Sequence, residues 1–418
     1  MSQHFQILII GAGNAGVSAA AQLLLKDKTL RIAILDPSDK HYYQPAWTLV
    51  GGGEFDVSKT IRPQKSVIPD GVTWIREAAA AFQPDDKRVI TKEGNSYTYD
   101  YLIAAPGIQL DWHKIKGARE WLGKNGITSN YLPDLAPKTW EFAQNFKGGK
   151  ALFTNPNTPI KCGGAPQKIM YLLSDYFRKK GLLSKSEVHF YSGGAVIFGV
   201  KKYAATLNKV IDRYGIKTHF THNLVEVDGE NKIAYFETKN EGGELVRVAE
   251  KFDFLHITPP QSAPDFIKIS PLAILDPNQS ANNPCLDAAN LSPNFLGWID
   301  VDKFSLQHVR YPNIFACGDA ANTPNAKTGA AIRKQVPVLV SNLLSVMKGN
   351  APSAVYNGYG SCPLITGYGK LVMAEFDYNN EPQETFPFDQ SKERWSMYQL
   401  KKRLLPWLYW NKILKGTA

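Results

Sequence analysis

The sequence predicts an α/β protein of two doubly wound, nucleotide-type domains, the first interrupted by the second, followed by a separate C-terminal region. Three observations carry this. Residues 5–36 read as apolar strand, glycine turn, apolar-faced helix and apolar strand, ending on Asp36. A second apolar strand, Ile314-Phe315-Ala316-Cys317, runs into Gly318-Asp319 almost three hundred residues later. Between them, Ala151-Leu152-Phe153-Thr154 opens a strand followed by a turn without a glycine fingerprint.

The first element is the most specific. Gly11-Ala12-Gly13-Asn14-Ala15-Gly16 sits directly between strand 5–10 and a helix over 17–25. Gly11 permits the tight turn, Gly13 lets backbone approach a pyrophosphate, and Gly16 lets helix and sheet pack closely. The helix N-terminus offers unpaired N–H groups to phosphate. Asp36, twenty residues past Gly16, stands where a carboxylate accepts from ribose hydroxyls. His41-Tyr42-Tyr43-Gln44-Pro45 and Gly51-Gly52-Gly53 then read as a segment crossing the top of that sheet. A strand is expected over 72–77, with Ala78 to Ala81 leading from it. A hairpin over 87–99 and a buried strand over 101–105 follow, closed by Pro106-Gly107.

The second domain has the strands but not the phosphate turn. After Thr154 come Pro156, Pro159, Cys162 and Pro166, where a dinucleotide site needs GxGxxG. Loss of that fingerprint argues against NADH as electron donor. The domains are read as 1–115 with 298–348, and 116–297, with a Pro-, Asn- and Ser-rich surface insertion over 269–297; residues 349–418 form the third region.

At 418 residues the chain is too long for one core. Net charge is +10, and no nucleic-acid module accompanies it. No acid follows Glu393, yet six basic residues lie between Arg394 and Lys415, interleaved with Leu404, Leu405, Trp407, Leu408, Tyr409, Trp410, Ile413 and Leu414. That mixture is the composition of a segment lying in a membrane interface; packing on the protein body is the alternative. No run approaches a membrane span of about 20 residues, and a strand starting almost at Met1 gives no expectation of a signal peptide. The four cysteines, Cys162, Cys285, Cys317 and Cys362, form no CxxC and no zinc spacing, so no metal is expected. Cys317 reads as a packing residue and Cys285 as a loop residue. Cys162 and Cys362 lie in Pro/Gly-rich turns; Cys162 precedes a helix start, with Lys161 and Lys168 near, a setting that favours thiolate.

The glycine turn, Asp36, strand 101–107 and Gly318-Asp319 together resemble the two-dinucleotide-binding-domain flavoproteins, which implies FAD on the first domain. Its candidate contacts are Gly11, Gly13, Asn14, Ala15, Gly16, Asp36, Gln44, Ala79, Pro106, Gly107, Gly318, Asp319, Lys327 and Gly329. Longer stretches, HYYQPAWTLVGGG, FTNPNTPIKCGGAPQKIMYL, FGVKKYA, GYGSCPLITGY and AEFDY with ETFPFDQSKERWSMY, resemble the sulfide:quinone oxidoreductases of mitochondria and related bacteria.

That resemblance implies two-electron oxidation of hydrogen sulfide, with FAD as carrier and ubiquinone as acceptor. It implies Cys162 and Cys362 linked through sulfur, hydrosulfide attacking at Cys362, and Cys162 leaving as thiolate. A small nucleophile such as glutathione or sulfite then takes the sulfane sulfur. Lys168 and Lys401 match the family's basic access route, Glu120 a carboxylate that handles a proton, and Ile365 and Phe388 are candidate quinone contacts. Peripheral, monotopic attachment to the cytoplasmic face of a bacterial inner membrane is expected. The rival readings are a type II NADH:quinone dehydrogenase, which needs the missing second fingerprint, and a non-catalytic flavin-binding interaction protein.

Overall fold

The computed structural model describes residues 3–276, 291–292 and 294–418. The apolar run near the start forms the strand Gln3–Ile10, central in a mixed sheet that has seven strands among the described residues. It pairs in parallel with Ile32–Leu35 on one side and Ser96–Ala104 on the other. Thr73–Ile75 extends one edge, again in parallel. Arg88–Thr91 and Ala79–Gln83 extend the other as an antiparallel branch. Ile314–Ala316 joins the same sheet, parallel to Ser96–Ala104. The late strand thus joins the sheet of the first strand, where Ile314, Phe315 and Ala316 are fully buried.

The helix Asn14–Lys26 leaves Gln3–Ile10 through the glycine turn and buries Val17, Ala19, Ala20 and Leu23. A Cβ on Gly16 would overlap the Gly11 carbonyl oxygen, so close helix–turn packing needs glycine there. A long helix, Gly329–Met347, packs beside it.

The second sheet is parallel throughout, in the order Ile127–Thr128, Phe254–His256, Gly149–Asn155, Ser186–Ser192 and Lys217–Phe220. Helices Ala165–Lys179 and Lys201–Tyr214 cover one face. Three antiparallel strands, Asn223–Asp228, Ile233–Lys239 and Leu245–Lys251, lie near the other, where Phe236 stacks on Tyr191. The hairpin Gly360–Gly367 with Lys370–Phe376 rests on helix Ala165–Lys179, with Cys362 opposite Ala374.

The expected surface insertion over 269–297 is not all surface in its described parts. Leu272 and Ala273 are buried in the first domain's core, with Ala273 bridged to Ile299. Their apolar side chains fill space beside Ile267 and Trp298. Cys285 lies outside the described residues.

The C-terminal segment runs as helical turns Trp395–Gln399, Leu400–Leu404, Leu405–Leu408 and Tyr409–Ile413, the second and fourth of them wide π turns. It divides its apolar residues between two faces. Tyr409, Trp410 and Leu414 are buried in the first domain's core, whereas Leu404 and Trp407 are about half exposed.

Candidate active site

One cavity of about 770 Å³ runs from the glycine turn to the two cysteines and on to the C-terminal segment. At its first end, Asp36 accepts hydrogen bonds from the Ala12 and Ser38 N–H groups, at 2.6 and 2.8 Å. Burial pushes this carboxyl upward and the two donors oppose the shift. Each oxygen keeps a further lone pair for a ligand. The helix Asn14–Lys26 has no side-chain cap, and a Cβ on Gly13 would meet open space. The turn therefore presents backbone donors to the cavity.

Further along, Gln44, Pro106, Gly107, Gly318, Asp319, Lys327 and Gly329 all line the space. Lys327 donates to the Ala321 carbonyl at 2.9 Å and lies 3.9 Å from the Trp298 ring centre. Burial lowers its pKa to about 8, with Asp319 opposing. Burial likewise raises Asp319, against Lys327 and Lys161.

The cysteines meet at the centre. Cys162 Sγ and Cys362 Sγ lie 3.3 Å apart, and Lys168 Nζ is 2.9 Å from Cys162 Sγ. Three local features produce this. The turn after strand Gly149–Asn155 crosses toward the first domain, where the Cys162 N–H donates to the Lys327 carbonyl at 2.8 Å. Cys162 itself is held at φ +59°, an uncommon conformation for a side-chain-bearing residue. Gly164 starts the next helix, and a Cβ there would stand 2.6 Å from Cys362 Sγ, so glycine admits the second sulfur. The turn that lost its phosphate fingerprint thus carries a thiol to the cofactor side.

The two sulfurs divide one proton between them. The hydrogen bond from the Cys362 thiol, aided by the Lys168 ammonium, holds Cys162 well below the ordinary thiol range despite burial. Cys362 is held well above it by that same bond and by burial. The neighbouring sulfurs keep Lys168 charged, raising it against the cost of burial. Lys401 is 4% exposed and donates to the Pro45 carbonyl at 2.9 Å. Burial, with repulsion from Lys168, brings it down to about 7. Cys317 is buried and pushed up to about 12, mainly by desolvation, which makes it an inert thiol at neutral pH.

Other expected residues fall elsewhere. Glu120 is exposed on the short helix Ala118–Trp121, which packs on strand Asn223–Asp228, and it does not line the cavity. Ala79 is buried beside Phe82 in the first domain's core, off the cavity wall. Ile365 is fully buried and Phe388 packs against its cluster under Arg394. The apolar cavity wall there is made instead by Phe386, Leu400, Leu404, Leu405 and Leu408.

Sequence reasoning missed three wall residues. Tyr131, whose ring centre lies 5.7 Å from Lys161 Nζ, is raised well above the phenol range by burial. Asn130 is 8% exposed, and neither its amide nitrogen nor its oxygen has a protein partner. His256 accepts the Asn130 N–H at Nε2, at 3.0 Å, which leaves Nδ1 as an unpaired donor. No local motif marks these residues. Buried polar atoms without partners on a cavity wall are what a bound polar ring system or ordered water satisfies. With the open glycine turn and Asp36, they fit FAD.

Among the described residues no His, Cys, Asp or Glu group suits a metal ion, and no helix is long and apolar enough to cross a membrane.

Residues 5–137 match the pyridine nucleotide-disulphide oxidoreductase family. The chain is 45% identical over 413 residues to the mitochondrial sulfide:quinone oxidoreductase of Mus musculus, covering 99% of this chain and 87% of that one. It is also 45% identical to the mitochondrial enzyme of that name from Dictyostelium discoideum, covering 98% and 86%. The solved sulfide:quinone oxidoreductase of Aquifex aeolicus superposes with a TM-score of 0.76 at 18% identity, over 98% of this chain and 92% of that one, and so shares the fold. The mouse and Dictyostelium relatives are named as mitochondrial, which gives no support to the expected bacterial inner membrane. With this identity over nearly the full length, the protein belongs to the sulfide:quinone oxidoreductase family.

Proposed function

We propose that this chain oxidises sulfide at Cys162 and Cys362, gives the sulfur to a small nucleophile, and delivers two electrons to quinone while attached to a membrane surface. One observation carries the reading: two cysteines 200 residues apart lie 3.3 Å from each other, with an ammonium on one of them. Two sulfur–sulfur bonds of about 2.05 Å, meeting at the bent angle of divalent sulfur, span about 3.3 Å. The separation therefore matches a link through one bridging sulfur, and direct closure requires the two sulfurs to move together.

Bound FAD supplies a two-electron acceptor for the sulfur pair and a donor to quinone. The chain's own groups do the rest. Hydrosulfide attacks the Cys362 sulfur of the directly bonded pair. A new sulfur–sulfur bond forms there, the bond to Cys162 breaks, and its electron pair leaves on Cys162. Lys168 stabilises that thiolate. Glutathione, sulfite or a similar nucleophile takes the outer sulfur and leaves Cys362 as thiolate. Re-forming the bridge from two thiolates releases two electrons. Lys401, about half protonated near pH 7, holds a proton beside the sulfurs. Phe386, Leu400, Leu404 and Leu408 give an apolar entrance suited to a quinone ring.

The half-exposed Leu404 and Trp407, among Lys402, Arg403 and Lys412, support contact with an anionic membrane surface. Against the NADH reading stands the turn between Asn155 and Ala165, which turns a cysteine rather than a phosphate cradle toward the first domain.

The test is an anaerobic flavin spectrum taken before and after sulfide, then after quinone. Bleaching by sulfide and recovery with quinone are expected. Bleaching by NADH at an equal or greater rate overturns the reading.

A further inference from the structure

The C-terminal segment reaches the glycine turn itself. The Ala12 carbonyl, in the middle of that turn, accepts from His41 Nδ1 at 3.0 Å and from Gln64 Nε2 at 3.1 Å. His41 Nε2 lies 2.6 Å from the Tyr409 hydroxyl. A carbonyl only accepts, so Nδ1 carries the proton and Nε2 accepts the Tyr409 O–H. His41 is 3% exposed, and burial holds its pKa at about 4, which keeps the ring neutral. The peptide between Gly11 and Gly13 is thus held from both sides, its neighbouring N–H by Asp36 and its carbonyl by His41 and Gln64.

Tyr409 is itself fixed. Its ring lies 4.7 Å from Tyr43 and 5.0 Å from Trp410. Arg62, which pairs with His41 across two short strands, covers Trp410 at 4.3 Å. Gly416 packs on Gln22 in the helix that begins at the glycine turn. Leu405, Leu408, Tyr409, Ile413 and Ala418 line the same cavity as Gly11 and Asp36.

We propose that the segment from Leu405 to the C-terminus is a clasp on the cofactor cavity, and that Tyr409, acting through His41, is a positioning residue for the glycine turn and hence for FAD retention. The donor chain Tyr409–His41–Ala12 fixes the tilt of the turn peptide, so the following N–H groups stay aimed at the cofactor phosphates. The inference rests on FAD occupying this cavity and not on the sulfur chemistry.

Tyr409→Phe keeps the ring and removes only the hydroxyl. FAD affinity should fall about three- to tenfold, the loss of one buried hydrogen bond, read by fluorescence of released flavin from diluted holoenzyme. The thermal midpoint of the apoprotein should fall modestly, because His41 Nε2 loses its buried partner, and that of the holoenzyme should fall further; His41→Gln combined with Tyr409→Phe should weaken FAD no more than the stronger single change. Removal of residues 409–418 should release FAD further. Unchanged FAD affinity in Tyr409→Phe overturns the proposal, as do equal falls of the apoprotein and holoenzyme midpoints. Wild-type protein that binds no FAD would defeat the cofactor assignment instead.

Discussion

Lys168 Nζ stands 2.9 Å from the sulfur of Cys162, six positions earlier, because the turn carrying the cysteine folds back over the first turn of helix Ala165–Lys179. The ammonium is 4% exposed and has little water to compete with the sulfur. This pair, with the thiol of Cys362, sets which sulfur carries negative charge.

Lys168→Met should therefore raise the Cys162 pKa, because it removes a charge-assisted hydrogen bond that favours the thiolate, worth about 1.5–3 kcal/mol. The pH profile of alkylation of the reduced enzyme, followed by mass spectrometry at Cys162, checks this. Sulfide-driven flavin reduction should slow in parallel. An unmoved profile would show that the Cys362 thiol alone depresses Cys162.

Cys162→Ser and Cys362→Ser should each abolish sulfide turnover with FAD still bound, since a hydroxyl forms no persulfide. The double variant should be no worse than either, because the two act as a unit. Cys317→Ser should keep the sulfur chemistry, as its thiol, at about 12, is not ionised. Peptides joined through two or three sulfurs should appear by mass spectrometry of oxidised protein. Two free thiols in active, oxidised enzyme would contradict the mechanism.

Lys401 gives a signed pH dependence. Its folded pKa of about 7 lies below the ordinary 10.5, so the unfolded chain binds more protons between these values. Stability from this group consequently rises with pH from about 7 to about 10.5 and is lowest below 7. Lys401→Met removes the term. Wild type should gain stability on the variant across that window in denaturant titrations, and the gap should be constant below pH 6. A pH-independent difference would mean that Lys401 stays charged.

Leu404→Ser with Trp407→Ser should cut co-sedimentation with anionic vesicles at least tenfold, since each apolar side chain withdrawn from water contributes about 1.5–3 kcal/mol. FAD should stay bound, because Trp407 lies off the cavity and the half-exposed Leu404 meets it only at the apolar entrance, away from the glycine turn. Equal sedimentation of variant and wild type would exclude this patch from membrane contact.

Asp36→Ala should weaken FAD by about 1.5–3 kcal/mol. It removes a ribose acceptor and also frees the Ala12 N–H. Equilibrium titration of the apoprotein with FAD reads the change.

Local sequence is enough to specify the first domain's strand, glycine turn, helix and strand. Strands Gln3–Ile10 and Ile32–Leu35 and helix Asn14–Lys26 depend on local apolar spacing and on glycines whose Cβ would collide. It also showed the missing second fingerprint, because an absent glycine pattern is a local fact. Cys162 and Cys362 could be paired from sequence only through family resemblance, since nothing in the spacing of two residues 200 apart sets their distance. Tertiary structure brought them together by seating hairpin Gly360–Phe376 on helix Ala165–Lys179 and crossing the Cys162 turn to Lys327. It left Glu120 on the surface and lined the cavity with Asn130, Tyr131 and His256, which carry no motif. Composition marked the last residues as basic, leucine-rich and aromatic, but not which way each would face. Wide turns at Leu400–Leu404 and Tyr409–Ile413 break the 3.6-residue period, so Trp407 turns outward while Tyr409 turns inward onto His41. Local chemistry writes elements and turns; side chains that meet across domains are decided by packing, which no short window contains.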